Sequence, residues 1–194
     1  VSMKPWCFVN LGGMKLDPGF DIAARAVRRL RKHYEDLTLF ATVSPGHPIA
    51  RMEGVQALGG DLTSGEVRAC LELGTMLVMP SLAETVGLPM LEAMSVGCPV
   101  IASNLAYTHD VCGDAVHCFL PGNVNSCMNK IEDLLLRPRL RQDLIRAGFE
   151  RLDRLSMASP YASMVSSLCE VATQRAEVEE AGTQRHVVDR TTSR

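Results

Sequence analysis

Short apolar runs alternate with longer amphipathic segments along most of the chain. The apolar runs have the length and composition of strands buried on both faces, and the amphipathic segments repeat their apolar positions at helical spacing. The predicted strands are residues 6–11, 37–43, 55–58, 76–79, 98–102 and 115–119, and the predicted helices are residues 20–34, 64–73, 89–97, 124–136, 138–155 and 160–177. This alternation predicts an α/β fold, with a doubly wound parallel sheet covered by helices on both faces.

Length and composition favour one domain with an appendage. The chain has 194 residues, of which 46% are hydrophobic, enough to bury a substantial core. The last residues, 182–194, are polar and show no periodicity, so we expect a tail without a packed structure. The chain begins with Val1 and enters a predicted strand almost at once, which suggests a fragment of a longer protein.

Charge and cysteine content narrow the function classes. The net charge of -2 argues against a nucleic-acid binder, whose surface would be basic. The seven cysteines form an odd number without a C-x-x-C pair, which argues against a disulfide framework or a zinc site and favours a reducing compartment. No apolar run is long enough to span a bilayer and no signal peptide is visible. We therefore expect a cytoplasmic location.

Residues 80–104 concentrate the candidate chemistry. The stretch predicts a strand, a loop, a helix that starts at Pro89, and a second strand, with Glu84 in the loop and Glu92 in the helix. In such a unit ligands collect at the carboxyl ends of the strands and anions at the helix N-terminus. A carboxylate there can accept hydrogen bonds from a vicinal diol such as a ribose. For either glutamate taken alone, the favoured interpretation is a surface residue, solvated in the loop at Glu84 and complementing the helix dipole at Glu92.

The same stretch resembles the signature of the retaining, nucleotide-sugar-dependent glycosyltransferases of family 4, the group 1 glycosyltransferases with the GT-B fold. The family frame reads P-S-x-x-E-x-x-G-x-P-x-x-E-A-x-x-x-G-x-P-V-I. The matching residues are Pro80, Ser81, Glu84, Gly87, Pro89, Glu92, Ala93, Gly97, Pro99, Val100 and Ile101. The likeness continues through residues 110–115 and covers about residues 7–168. It is specific because so many spaced positions agree.

The resemblance implies the C-terminal, donor-binding domain of a GT-B enzyme, a Rossmann-like domain over residues 1–168, with residues 169–194 forming the end of the last helix and the tail. Glu92 would hold the ribose of the donor, and Glu84 would be the catalytic residue at the donor sugar. The backbone amides of Val86, Gly87 and Leu88 would bind the diphosphate at the helix N-terminus. No metal and no cofactor are implied, because the nucleotide-diphospho-sugar is itself the substrate.

The loop after the first strand departs from the family pattern. Members usually carry G-R-x-x-x-x-K-G here, whose arginine and lysine neutralise the diphosphate. In this chain Gly12 is followed by Gly13 at the arginine position, and Pro18 stands at the lysine position. Lys15 is the only cation in this loop, so Gly12, Gly13 and Lys15 are the donor-binding candidates there. Three consequences are open: other groups replace the two missing cations, or the transfer activity is weak, or the donor differs from that of the family.

The resemblance also implies that the N-terminal half of a GT-B enzyme is absent from this chain. GT-B enzymes carry most of the acceptor site on an N-terminal domain, so the expected partners are a nucleotide-sugar donor and that missing domain, through which the protein could also associate with a membrane surface. The chain alone should bind a nucleotide sugar without transferring the sugar. The alternatives are a non-catalytic binding or scaffold module of the same fold and, less favoured, a nucleotide-sugar epimerase.

Two histidines are weaker candidates. His47 follows the second predicted strand and His109 precedes Asp110, and either could serve as an acid or base, although a lone histidine is more often a packed or surface residue. The sequence lacks the G-x-G-x-x-G fingerprint, so a nicotinamide dehydrogenase has little support.

Overall fold

The computed structural model describes residues 6–9, 20–84 and 86–158, and the side chains of residues 21–84 and 86–156. Strands and helices alternate through these ranges. The strands are β1 (Trp6–Val9), β2 (Thr38–Ala41), β3 (Val55–Ala57), β4 (Met76–Met79), β5 (Val100–Ser103) and β6 (Val116–Phe119). The helices are α1 (Phe20–Leu30), α2 (Ser64–Leu73), α3 (Leu88–Ser95), α4 (Ala106–Cys112), α5 (Val124–Leu136) and α6 (Pro138–Ala158), with a 3₁₀ helix at Pro48–Arg51.

The strands form one parallel sheet in the order β3-β2-β1-β4-β5-β6. The order reverses direction between β1 and β4, which pair through Cys7 with Met76 and Phe8 with Leu77. In open α/β sheets the crevice at such a reversal, outside the carboxyl ends of the strands, is where ligands bind. The predicted α/β fold, a Rossmann-like doubly wound parallel sheet, is confirmed.

β4 is the central support of the sheet because it is buried on both faces. Along the strand, Met76 and Val78 belong to one apolar cluster, whereas Leu77 and Met79 belong to the other. The first cluster includes the inner faces of α1 and α5, and the second includes residues of α3 and α4. The period of two along a strand therefore divides its side chains between two cores. The carboxyl end of β4 is held by packing from both sides.

The buried cysteines pack as small apolar side chains. Cys98, Cys112 and Cys127 are free thiols in the interior, and burial raises the pKa of each to about 12. A thiol with so high a pKa is a poor nucleophile at neutral pH. These three cysteines therefore contribute to the core rather than to chemistry.

Most predicted elements are present, with shifts at their ends. The bounds predicted for β4, α2 and α5 are those observed, while the helix predicted for residues 20–34 ends as an α-helix at Leu30 and continues as turns. The 3₁₀ helix and α4 were not predicted. Residues 10 and 11 of the first predicted strand, the predicted helix 160–177 and the domain boundary at residue 168 lie outside the described residues.

The compact units of the chain divide between Leu152 and Asp153, inside α6. The sheet and the helices α1 to α5 belong to the first unit, as does α6 up to Leu152. Of the second unit the structure describes the end of α6.

Candidate functional site

The candidate site begins where β4 ends. Pro80 and Ser81 leave the strand as a buried segment, and the chain then emerges through exposed Leu82 and Ala83 to Glu84, which is partly buried. We call residues 81–87 the Glu84 loop; the structure describes all of it except Thr85. The loop leaves the carboxyl end of β4, beside β1, so Glu84 lies on the segment that leads into the crevice at the reversal of strand order.

Gly87 turns the loop into α3. Its φ of 67° and ψ of 33° lie in the left-handed region, which glycine adopts at little cost. A Cβ atom at this position would lie 2.5 Å from the Met90 Cε and 3.3 Å from the Val111 Cγ2. Both the backbone conformation and the space therefore favour glycine where the family frame has it.

The N-terminus of α3 has no side-chain cap. Gly87 is the N-cap residue and supplies no side-chain hydrogen bond, Pro89 occupies the first turn, and no acidic residue lies in that turn. The first N–H groups of a helix carry partial positive charge and need partners from outside the helix. This helix start is therefore suited to an anion.

Glu92 lies one helical turn beyond Leu88, on the same face of α3. Its side chain keeps an exposed side, but the surrounding protein withdraws part of it from water, and this burial raises the pKa of the Glu92 carboxyl. The structure thus puts Glu84 on the loop and Glu92 on the helix that follows, with Val86, Gly87 and Leu88 between them.

Hydrogen bonds join the start of the Glu84 loop to the next strand and helix. The Ser103 Oγ donates to the Pro80 carbonyl at 3.2 Å, and the Tyr107 Oη donates to the Ser81 carbonyl at 2.9 Å. The Thr108 Oγ1 donates to the Ser103 carbonyl at 2.8 Å. Sequence reasoning missed Tyr107, since no spacing or composition rule links residues 26 positions apart.

The two candidate histidines have different surroundings. The His47 Nδ1 accepts a hydrogen bond from the Ile49 backbone N–H at 3.3 Å and caps the 3₁₀ helix. A His109 Nε2 lies 2.6 Å from the Asn104 Oδ1, just past the carboxyl end of β5. His47 is accordingly a structural cap, whereas His109 lies near the carboxyl edge of the sheet.

Part of the predicted site lies outside the described residues. Gly12, Gly13 and Lys15 belong to this undescribed segment, as does Pro18. β1 ends at Val9 beside β4, so the chain leaves both strands at the same edge of the sheet. Within residues 6–9, 20–84 and 86–158 no group of three His, Cys, Asp or Glu side chains is arranged to hold a metal ion. None of the helices described here is both long and apolar enough to cross a membrane.

Comparison with protein families gives a match over residues 7–137 to the model described as glycosyl transferases group 1. Among curated proteins, the chain is 34% identical over 100 residues to the sulfoquinovosyl transferase SQD2 of Arabidopsis thaliana, which covers 49% of this chain and 20% of that protein. It is 35% identical over 127 residues to a phosphatidyl-myo-inositol mannosyltransferase of Propionibacterium freudenreichii, covering 62% of this chain and 32% of the relative.

Solved structures show the same fold. A TarM mutant of S. aureus, in complex with Fondaparinux, alpha-GlcNAc-glycerol and UDP, superposes with a TM-score of 0.69 at 19% identity, covering 88% of this chain and 36% of TarM. The C-terminal domain of the group 1 family protein LpcC from Francisella tularensis has a TM-score of 0.62 at 20% identity, covering 76% of this chain and 84% of that domain. A putative UDP-N-acetylglucosamine 2-epimerase from Listeria monocytogenes has a TM-score of 0.58 at 14% identity, covering 83% of this chain and 46% of that protein.

The chain spans a third or less of the curated relatives, but 84% of the isolated LpcC domain. The family match extends from β1 to the end of α5 and contains the Glu84 loop and α3. The chain belongs to the group 1 glycosyltransferases.

Proposed function

We propose that this chain is the donor-binding domain of a glycosyltransferase that transfers a sugar from a nucleotide-diphospho-sugar with retention of configuration. The observation that carries the proposal is the placement of Glu84, the uncapped start of α3 and Glu92 in succession at the carboxyl end of β4, where the strand order reverses. This edge binds nucleotides in open α/β sheets, and a helix start without a cap attracts phosphate.

Each part of the donor has a group to receive it. The Glu92 carboxylate accepts hydrogen bonds from both hydroxyls of the ribose, and the backbone amides of Val86, Gly87 and Leu88 bind the diphosphate. Glu84 contacts the hydroxyls of the donor sugar. The order of these groups along the chain follows the order of sugar, diphosphate and ribose along the donor.

The α3 N-terminus supplies part of the catalytic stabilisation. As the glycosidic bond breaks, negative charge develops on the departing nucleoside diphosphate, and fixed N–H dipoles stabilise that charge without reorganising. Lys15 is the cation of the first loop that we propose as their complement. The acceptor-binding half lies on an N-terminal domain, so we expect this chain alone to bind donor and to be inactive in transfer.

Titration calorimetry with UDP, GDP and ADP tests the proposal on the chain itself. One of these nucleotides should bind, and Glu92→Ala should weaken it about 100-fold, since two charge-assisted hydrogen bonds are lost at about 1.5 kcal/mol or more each. Glu72→Ala is the matched control, because Glu72 is a helix glutamate whose partner is Arg68 on the surface of α2, 2.8 Å away. Its affinity should equal that of the wild type.

Absence of both heat and thermal shift with all three nucleotides would overturn the proposal. The competing function is a module that keeps the fold without chemistry, which Gly13 and Pro18 favour because they replace two phosphate-binding cations of the family. Sugar transfer by the longer protein with its N-terminal domain, lost on Glu84→Gln, would exclude that module. Sugar interconversion without any acceptor would instead indicate an epimerase.

A further inference from the structure

α4 contacts the Glu84 loop at both of its ends. At the start, the phenol of Tyr107 donates its hydrogen bond to the Ser81 carbonyl at 2.9 Å. At the end of the loop, Val111 packs closely on Gly87: a Cβ atom added to Gly87 would lie 3.3 Å from the Val111 Cγ2. These two residues of α4 are four positions apart and therefore lie one turn apart on the same face. A single helix face thus borders both ends of the loop.

α4 is itself fixed from both of its ends. Near its start, the Thr108 Oγ1 donates to the Ser103 carbonyl at the end of β5. Near its end, the guanidinium of Arg151 on α6 donates to the carbonyls of Val111 at 2.9 Å and Asp110 at 2.5 Å. Helix carbonyls in the last turn lack partners within the helix, so the arginine supplies them. The helix is accordingly a firm base for the loop.

The side chains that follow Ser81 in the loop are less buried than Ser81 itself. Ser81 and Gly87 are buried, whereas Leu82 and Ala83 are exposed and Glu84 is only partly buried. Exposed side chains contribute little packing that would resist movement of the backbone. Glu84 is three residues from Ser81, so we expect a change in the backbone conformation at Ser81 to alter the position of Glu84.

We propose that Tyr107 is a positioning residue for Glu84: its hydroxyl fixes the Ser81 carbonyl and thereby the path of the loop that presents Glu84 to the donor sugar. This inference rests on the proposed function. Tyr107 does not itself contact the donor, and its effect on binding is confined to the sugar. The ribose and the diphosphate bind at and beyond the far end of the loop, where Val111 packs on Gly87, so they are held independently of Tyr107.

Tyr107→Phe removes the hydroxyl and keeps the ring. Tyr34→Phe is the matched control, because the Tyr34 Oη also donates to an oxygen, the Glu132 Oε1 at 3.1 Å, and Tyr34 packs against the opposite core cluster. NMR relaxation of the free chain should show lower order parameters for the backbone amides of Ala83 and Glu84 in Tyr107→Phe, because the lost hydrogen bond no longer holds the start of the loop. Tyr34→Phe should leave those amides unchanged.

Calorimetry then compares a nucleotide with its sugar ester, UDP with UDP-glucose and GDP with GDP-mannose. In Tyr107→Phe the sugar ester should bind about fivefold more weakly while the free nucleotide keeps its affinity. Adding Glu84→Gln to Tyr107→Phe should weaken the ester hardly further than Glu84→Gln alone, since residues that act through one another are not additive. Thermal melts of all variants verify that each is folded.

Three results would overturn the inference: unchanged order parameters of Ala83 and Glu84, an equal loss of affinity for nucleotide and ester, or full additivity with Glu84→Gln. If the wild type bound none of UDP, GDP, ADP and the two sugar esters, the proposed function would fail and the donor-positioning role of Tyr107 with it. In that case the relaxation data would still decide whether Tyr107 holds the loop, so the two failures are distinguishable.

Discussion

α2 and α3 both leave the carboxyl edge of the same sheet, yet their first turns are completed in opposite ways. At α2 the Thr63 side chain accepts from the Glu66 backbone N–H, and the Glu66 carboxylate accepts from the Thr63 backbone N–H, at 3.3 and 2.7 Å. At α3 the N-cap is Gly87, which has no side chain to offer. A capping box therefore closes the start of α2, whereas the start of α3 has no side-chain cap.

The contrast separates a helix start that serves stability from one that is available to a ligand. In α2 the chain's own carboxylate complements the positive end of the helix dipole. In α3 the acidic residue, Glu92, lies a turn further on, so it leaves the Leu88 N–H to another anion; Pro89 has no N–H, and the Met90 N–H donates to the Gly87 carbonyl at 3.0 Å. Glu66 thus caps its own helix, whereas Glu92 takes no part in the cap of α3.

The largest effect should come from adding a side chain at Gly87, the residue before α3. Gly87→Ala puts a Cβ on a residue with φ 67° and forces Val111 and Met90 to move, so we expect a loss of about 2 kcal/mol in the free energy of unfolding, together with weaker nucleotide binding. Urea denaturation and calorimetry measure the two losses.

Gly122→Ala is the control for the backbone term of Gly87→Ala. Gly122 has a φ of 73°, and a Cβ there would meet nothing within 4 Å. It should cost about 1 kcal/mol and leave nucleotide binding unchanged. Equal effects of the two substitutions on both measurements would show that the tight approach of α4 to Gly87 is of no consequence.

A smaller loss of stability is expected from removing the N-cap side chain of α2. Thr63→Ala removes the side-chain acceptor of the capping box and should lower the free energy of unfolding by about 1 kcal/mol without altering nucleotide binding. Ser64→Ala, one residue later, should change the free energy of unfolding by less than about 0.5 kcal/mol. Denaturation curves of both variants decide whether Thr63 or Ser64 is the cap.

The smallest effect should be a pH dependence of opposite sign at the two glutamates. Burial raises the pKa of Glu92, so its contribution to stability is present in acid and is lost as the pH rises through that raised value. The hydrogen bond from the Thr63 backbone lowers the pKa of Glu66, so its contribution is present at neutral pH and is lost as the pH falls through that lowered value.

Melting temperatures across the acidic to neutral range test this opposition. Glu92→Gln should raise the melting temperature at neutral pH and lose that advantage in acid. Glu66→Gln should lower the melting temperature at neutral pH, and the difference should shrink as the pH falls. The same sign for both variants at neutral pH would contradict the assignment of one closed and one open helix start.

The cap of α2 illustrates the limit of local prediction. Sequence patterns place the helix over Ser64–Leu73, which are its observed bounds, but Thr63 and Ser64 are adjacent candidates for its cap. The structure assigns the cap to Thr63, the residue three positions before Glu66. Both residues are good caps by type, so only the backbone conformation, extended at Thr63, distinguishes them.

α4 could not be predicted for a different reason. It has seven residues and begins after Leu105, which supplies no side-chain cap. So short a helix is unstable by itself and depends on tertiary contacts. Those contacts come from Ser103 of β5 and from Arg151, which lies 40 positions away from Val111.

The sequence by itself determined the alternation of strands and helices, the burial of β4 on both faces, and the placement of Glu84 on a loop and Glu92 on the helix after it. These features are local, because the period of two or 3.6 and the positions of glycine and proline specify them within a few residues. Only the tertiary structure decided that β1 and β4 are neighbours and that Tyr107 reaches Ser81. Contacts between residues far apart in the chain form when the sheet and its helices pack together, and no local pattern records them.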